Sequence, residues 1–133
     1  RLKANVKFES KQKFIDKPNI IALRKLDRLN ELSSSNEIDV KELYVQLSQI
    51  VREYIENSLF IKALEMTTDE IRFSNNNFPY TEVEFNNLLK ILSNSDMAKY
   101  AKYIATNKEW NSDLKKSIDL INDTTDYWNI EFS

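Results

Sequence analysis

Between Asp39 and Leu59 the apolar residues Val40, Leu43, Tyr44, Leu47, Ile50, Val51, Tyr54, Ile55 and Leu59 mostly keep the i, i+3, i+4, i+7 spacing. That pattern draws one apolar stripe down about five turns of α-helix. Most of a helix's stability in a folded chain comes from packing such a stripe. The segment therefore commits the chain to a helical core. Asp39 stands at its N-cap position with Glu42 three residues on, an acidic variant of the capping box.

The rest of the chain repeats this grammar. Pro18 opens a helix, and proline is well tolerated in a first turn. Leu23, Leu26, Leu29 and Leu32, with Ile20 and Ile21, give that helix a broad apolar face, and Ser33-Ser34-Ser35-Asn36 reads as the loop that ends it. Thr67 with Glu70 starts a short helix carrying Ile71 and Phe73, which Asn75-Asn76-Asn77 stops. Thr81 with Glu84 starts another, lined by Phe85, Leu88, Leu89 and Leu92. Ser95 or Asp96 is expected to cap a separate helix, with Met97, Tyr100, Ala101 and Ile104 on one face. Thr106 or Asn107 caps the last, with Trp110, Leu114, Ile118 and Ile121 in phase. Trp128 lies five turns beyond Trp110, so this helix could run on, although Thr124-Thr125 argues for an earlier end. Tyr44, Tyr54, Phe85, Tyr100, Tyr103 and Trp110 all stand at core spacing. No internal repeat of fixed period is visible, which argues against a solenoid. The expectation is an all-α fold, a single compact bundle of about five to six helices over residues 18–128, with a basic arm at 1–17 and a tail at 129–133. At 133 residues, the chain is the size of one domain.

The arm departs from the helical pattern. Leu2, Ala4, Val6 and Phe8 alternate with Lys3, Asn5, Lys7 and Glu9, the period of a half-exposed strand. A single strand needs a partner, such as the alternating Trp128, Ile130 and Phe132 or another chain; otherwise the segment is a flexible arm. Arg1, Lys3, Lys7, Lys11, Lys13 and Lys17 oppose only Glu9 and Asp16, a net charge of +4. The remainder is then −6, given −2 for the whole chain. A solvated chain terminus explains such an arm; so does a juxtamembrane segment on an anionic leaflet, where each cation gains roughly 1 kcal/mol. Single-stranded nucleic acid fits less well, because the acidic body repels phosphate and no nucleic-acid module is recognisable.

Three absences narrow the chemistry. Cysteine, histidine and glycine are all missing. There is no thiolate nucleophile or zinc site, no imidazole base, and no phosphate-cradling loop or dinucleotide fingerprint. The alternating acids, central glycine and late glutamate of a calcium loop are also missing. Carboxylates remain as candidate catalysts, in the pairs Asp69/Glu70, Glu82/Glu84 and Asp123/Asp126. A glycosidase needs two carboxylates facing each other across a cleft. Asp69, Glu70, Glu82 and Glu84 instead fall in first helical turns, where the helix dipole alone accounts for them. No cofactor is expected. No run approaches ~18 consecutive apolar residues, so no membrane span is read in the sequence. The first residue is Arg1 rather than Met, which reads as a fragment or a processed product.

Three stretches carry a family resemblance. They are Pro18-Asn-Ile-Ile-Ala-Leu-Arg-Lys-Leu-Asp-Arg-Leu29, then Leu43-Tyr-Val-Gln-Leu-Ser-Gln-Ile-Val-Arg-Glu-Tyr-Ile55 continuing to Ala63-Leu-Glu-Met-Thr-Thr-Asp-Glu70, then Leu88-Leu89 through Asp96-Met-Ala-Lys-Tyr-Ala101. Together, over about residues 18–124, they resemble the cytoplasmic helical domain of small membrane-anchored proteins from bacterial MoxR / von Willebrand factor A operons. That group includes the Bat aerotolerance type and a related family of unknown function. Its Pro-x-x-Ile-Ala-Leu entry, Tyr-x-x-Leu-Ser-x-Ile-x-Arg-x-Tyr helix, Leu-Glu-x-Thr-Thr-x-Glu helix start and Asp-x-x-Lys-aromatic-Ala helix are all matched in order. Asn19-Ile20 departs from the polar pair often found there.

The resemblance implies a membrane-anchored accessory protein, its anchor helix before Arg1 and its basic arm at the cytoplasmic face of the bacterial inner membrane, as the positive-inside rule expects. The implied partners are von Willebrand A domain proteins, a MoxR-type AAA+ ATPase, or both, with anionic lipid contacting Arg1, Lys3, Lys7, Lys11, Lys13 and Lys17. The residues that carry the motifs are Tyr44, Ser48, Arg52, Tyr54, Thr67, Thr68, Glu70, Asp96, Lys99 and Tyr100. None is catalytic. Arg52 lies about 60° outside the apolar stripe, a boundary position on the helical wheel. It could pair with Glu56 at the surface, tie to another helix through Asp96, or face a partner. The rival readings of the chain are a free-standing soluble helical adaptor and, behind it, a carboxylate-based hydrolase.

Overall fold

A computed structural model describes residues 16–100 and 103–129. The strand-or-arm question at residues 1–15, Ala101, and the tail beyond 129 lie outside the described residues. The fold is all-α. Among the described residues five helices run α1 Pro18–Ser35, α2 Val40–Leu59, α3 Thr68–Phe73, α4 Glu82–Tyr100 and α5 Asn107–Thr124. Short 3₁₀ turns at Ala63–Glu65, Asn75–Asn77 and Thr125–Tyr127 link or extend them.

The starts follow the sequence closely. Pro18 takes the first turn of α1 behind an extended Lys17. Asp39 accepts from the Glu42 N–H at 2.8 Å. Thr67 with Glu70, Thr81 with Glu84, and Thr106 with Glu109 each close a reciprocal box. The ends follow it less closely. The serine run is the last turn of α1 rather than a loop: Ser33 and Ser35 hydroxyls bond back to the Asn30 and Leu32 carbonyls at 2.6 and 2.7 Å. Asn36 then takes the left-handed cap at φ 58°. Phe60 takes the same conformation after α2 at φ 59°, a strained position for a side chain of that bulk.

The expected break at Ser95–Asp96 does not occur. α4 runs unbroken, and the Ser95 hydroxyl bonds the Ile91 carbonyl one turn back at 2.8 Å. The face assigned to a sixth helix is therefore not core. Met97 is half exposed, and Tyr100 and Ile104 are 80% and 86% exposed. Tyr103 is also exposed, so core spacing fails for these two tyrosines while it holds for Tyr44, Tyr54, Phe85 and Trp110. α5 ends at Thr124, as Thr124-Thr125 implied.

α1, α2, α4 and α5 pack as a four-helix ring in that order, and α3 lies against α4. Cross-links fix the directions. Lys25 of α1 meets Glu53 of α2 at 2.7 Å, antiparallel across the short turn. Asn94 reaches Asp113, and Tyr127 beyond α5 reaches Glu84 at the start of α4, so α4 and α5 are antiparallel. Tyr44 meets Asp113, and Tyr54 meets Thr124, so the diagonal helices α2 and α5 run parallel. Lys17 donates to Asn129 at 2.7 Å, which puts the root of the arm and the end of the described chain at one pole. The core is centred on Leu26, Leu47, Val51, Ile55, Leu88, Ile91, Leu92, Leu120 and Ile121, each essentially inaccessible to water. Among the described residues no helix is long and apolar enough to cross a membrane.

Candidate functional site, a charged cleft beside α4

The motif residues divide into two groups. Tyr44 and Tyr54 belong to the core. Tyr44 donates to Asp113 at 2.5 Å and meets Trp110 edge to face. Burial, then the neighbouring carboxylate, pushes its phenol well above the ordinary range. Tyr54 lies beside the Thr124 hydroxyl at 2.8 Å and accepts from the Trp128 indole at 2.9 Å. Thr67 and Glu70 are the cap of α3 and hold each other. Of the arm's cations only Lys17 is described; it is exposed. Arg1, Lys3, Lys7, Lys11 and Lys13 lie outside the described residues.

Ser48, Arg52, Thr68, Asp96, Lys99 and Tyr100 come together. α2 supplies Ser48 and Arg52 one turn apart, α3 supplies Thr68 in its first turn, and α4 supplies the last three in its final turns. All but Ser48 line an open cleft of about 390 Å³, whose other walls are Leu64, Glu65, Met66 and Thr67. Arg52 is only 9% exposed. It is neither a surface residue nor the partner of Glu56. It donates to the Ser48 hydroxyl through Nη1 and to the Thr68 hydroxyl through Nη2 at 3.3 Å. Thr68 in turn donates to Asp96 Oδ2 at 2.5 Å. The expected tie between Arg52 and Asp96 thus runs through a hydroxyl rather than a direct fork. Burial pulls the guanidinium below its ordinary range, against the opposing charge of Asp96.

Lys99 completes the group. Its side chain is 12% exposed, and its ammonium stands 3.8 Å from Asp96 Oδ1 and 5.2 Å from the Tyr100 ring centroid. Tyr100 projects into solvent beside it. The cleft therefore combines two largely buried cations, one carboxylate already committed to Thr68, a second and exposed carboxylate at Glu65, and an exposed aromatic side chain. That arrangement suits recognition of an anionic, partly apolar group.

Three of the six paired carboxylates are occupied elsewhere. Glu70 and Glu84 close helix caps, and Asp69 pairs with Arg72. Among the described residues no three acidic side chains gather in a metal-binding set. Sequence reasoning missed two features. Asp113 is buried between Tyr44 and Asn94, with Asn94 donating at 2.8 Å. Its position three residues after Trp110, on the apolar face of α5, was the available signal. The Leu64–Met66 wall had none, because it comes from an irregular turn. No family model, curated protein or solved structure matches the chain.

Proposed function

We propose that the chain is a non-enzymatic protein-interaction domain. In this reading it is the cytoplasmic part of a membrane-anchored accessory protein that assists a MoxR-type AAA+ ATPase and von Willebrand A partners at the bacterial inner membrane. One observation carries the interaction role. Motif residues from three helices, drawn from two of the three family-like stretches, meet at one cleft, and one of them, Tyr100, is a large aromatic that is 80% exposed. Solvent-facing aromatics beside buried charge are the usual anchors of protein interfaces. The polarity of the bundle supports the anchored arrangement. The arm is rooted at one pole, and Tyr100 ends α4, a helix that runs away from that pole. A tether at the arm would leave the cleft turned toward the cytoplasm.

The test is binding between purified proteins. The immobilised domain is exposed to the MoxR-type ATPase and the von Willebrand A proteins of the same organism, with Tyr100→Ala as control. Wild type should retain at least one of them. Tyr100→Ala should lose roughly tenfold or more in affinity, as a hot-spot residue does, while melting like wild type. Retention of neither protein, or equal retention by the variant, overturns the reading.

A further inference from the structure

We propose that the cleft formed by α2, α3 and α4 takes an acidic side chain of a protein partner, with Arg52 and Lys99 holding its carboxylate. This rests on the interaction reading above and supplies the partner's chemistry. The argument begins with unspent donors. A guanidinium offers five N–H groups. Arg52 uses Nη1 on Ser48 and Nη2 on Thr68, both neutral hydroxyls, and its buried Nε has no partner. Among the described residues no carboxylate lies within ion-pair distance of it. A buried cation ordinarily has a counter-charge in contact.

Lys99 is in the same position. At 3.8 Å from Asp96 its ammonium is outside hydrogen-bond range, and one ion pair is its whole polar environment among the described residues. Asp96 pairs with Lys99 and meets Arg52 only through the Thr68 hydroxyl, from which its Oδ2 already accepts. Two positive charges therefore face one negative charge. The remaining acids nearby do not restore the balance. Glu65 lines the cleft but is exposed and, among the described residues, pairs with neither cation, Glu70 is closed into the α3 cap, and Asp69 is paired with Arg72.

A surplus of one charge matches a carboxylate better than a phosphate dianion, which would also meet Asp96 head-on. The guanidinium fork is shaped for the two oxygens of a carboxylate. The apolar walls say what should stand beside that acid. Leu64, Met66 and Tyr100 offer aliphatic and aromatic surface next to the charged floor. The fitting element is an acidic residue followed by a large aliphatic one.

Capped dipeptides test this without any knowledge of the whole partner. N-acetyl-aspartyl-leucine amide, its neutral asparaginyl counterpart and inorganic phosphate are titrated into the ¹⁵N-labelled protein. The reporters are the Arg52 Nε–H and the backbone amides of Thr68, Lys99 and Tyr100. The aspartyl probe should shift these signals saturably. The asparaginyl probe should bind about tenfold more weakly or worse, as should the aspartyl probe to Lys99→Gln, whose fold is checked by its melt. Equal binding of the two dipeptides, shifts confined to other surfaces, or full affinity in Lys99→Gln overturns the proposal. Phosphate binding more tightly than the aspartyl probe at these residues overturns the carboxylate assignment. The titration uses neither the ATPase nor a von Willebrand A protein, so its failure is separable from failure of the partner assay.

Discussion

At the scale of single residues, Arg52 shows how a boundary position becomes a buried one. The helical wheel sets it just outside the apolar stripe of α2, and nothing in the spacing of that helix alone would bury it. The covering comes from α3 and the last turns of α4, elements that approach only when the bundle closes. Its partner was nevertheless legible by type: a charged motif on another helix was expected, and Asp96 is reached through Thr68. The intervening hydroxyl was not legible, because a threonine in a first helical turn is already explained as a helix-start residue. The relay has a measurable consequence. A lysine at position 52 keeps the charge but cannot reach Ser48 and Thr68 together, so Arg52→Lys should lose more than about 1 kcal/mol in urea unfolding. Asp96→Asn should weaken the same chain of bonds. The double mutant should then be less destabilised than the sum of the singles, by more than the ~0.5 kcal/mol scatter of independent sites. Strict additivity, or a wild-type melt for Arg52→Lys, would mean that the relay carries no energy.

Among the elements, beginnings were easier to read than ends. A helix start has a local chemical signature, a side chain three residues from its backbone partner, and every box read from Thr67 and Thr81 is formed. An ending depends on what the next segment packs against. Ser95-Asp96 has the composition of a cap, yet the stripe of Leu88, Ile91, Leu92 and Ala98 is continuous across it, and burying that stripe outweighs the local preference. At Thr106, sequence supplied the cap and the structure adds its counterpart, Glu109. That carboxylate accepts from the Tyr103 hydroxyl and from the Thr106 N–H, and its pKa lies below the ordinary glutamate value, first through Tyr103 and then through the cap. The sign follows. A depressed folded-state pKa contributes stability above the unfolded value of about 4.3, lost as pH falls through the folded value. Glutamine can still close the box but cannot ionise. Glu109→Gln should therefore melt below wild type at pH 7, and the gap should narrow as pH falls below the unfolded value of about 4.3. A gap that stays constant with pH would assign the loss to packing rather than charge.

Across the whole molecule, the bundle is fastened along its diagonal and at its arm-bearing pole by buried phenols. Tyr44 and Tyr54 bridge α2 to α5, and Tyr80 packs between Phe78 and Tyr127. Burial is the first cause that raises the pKa of each, so the folded protein holds them neutral. In the unfolded chain they ionise near 10. Their contribution is complete below that pH and declines as pH rises past it, because the unfolded state then releases protons that the folded state keeps. Alkaline unfolding should therefore be cooperative, with loss of helical circular dichroism tracking the tyrosinate absorbance of these buried groups. Tyr80 isolates the effect. Its hydroxyl is buried without a hydrogen-bond partner, and the nearby Thr124 hydroxyl is engaged with Tyr54 and the Leu120 carbonyl. Removing an unsatisfied hydroxyl costs little or even stabilises. Tyr80→Phe should thus stay within about 1 kcal/mol of wild type at pH 7. Above pH ~10 one fewer proton is released on unfolding, so its stability should fall less steeply, by roughly 1.4 kcal/mol per pH unit. Urea titrations at pH 7, 9, 10 and 11 read both quantities. A slope equal to that of wild type would show that Tyr80 ionises within the folded bundle and that the pole is open to water.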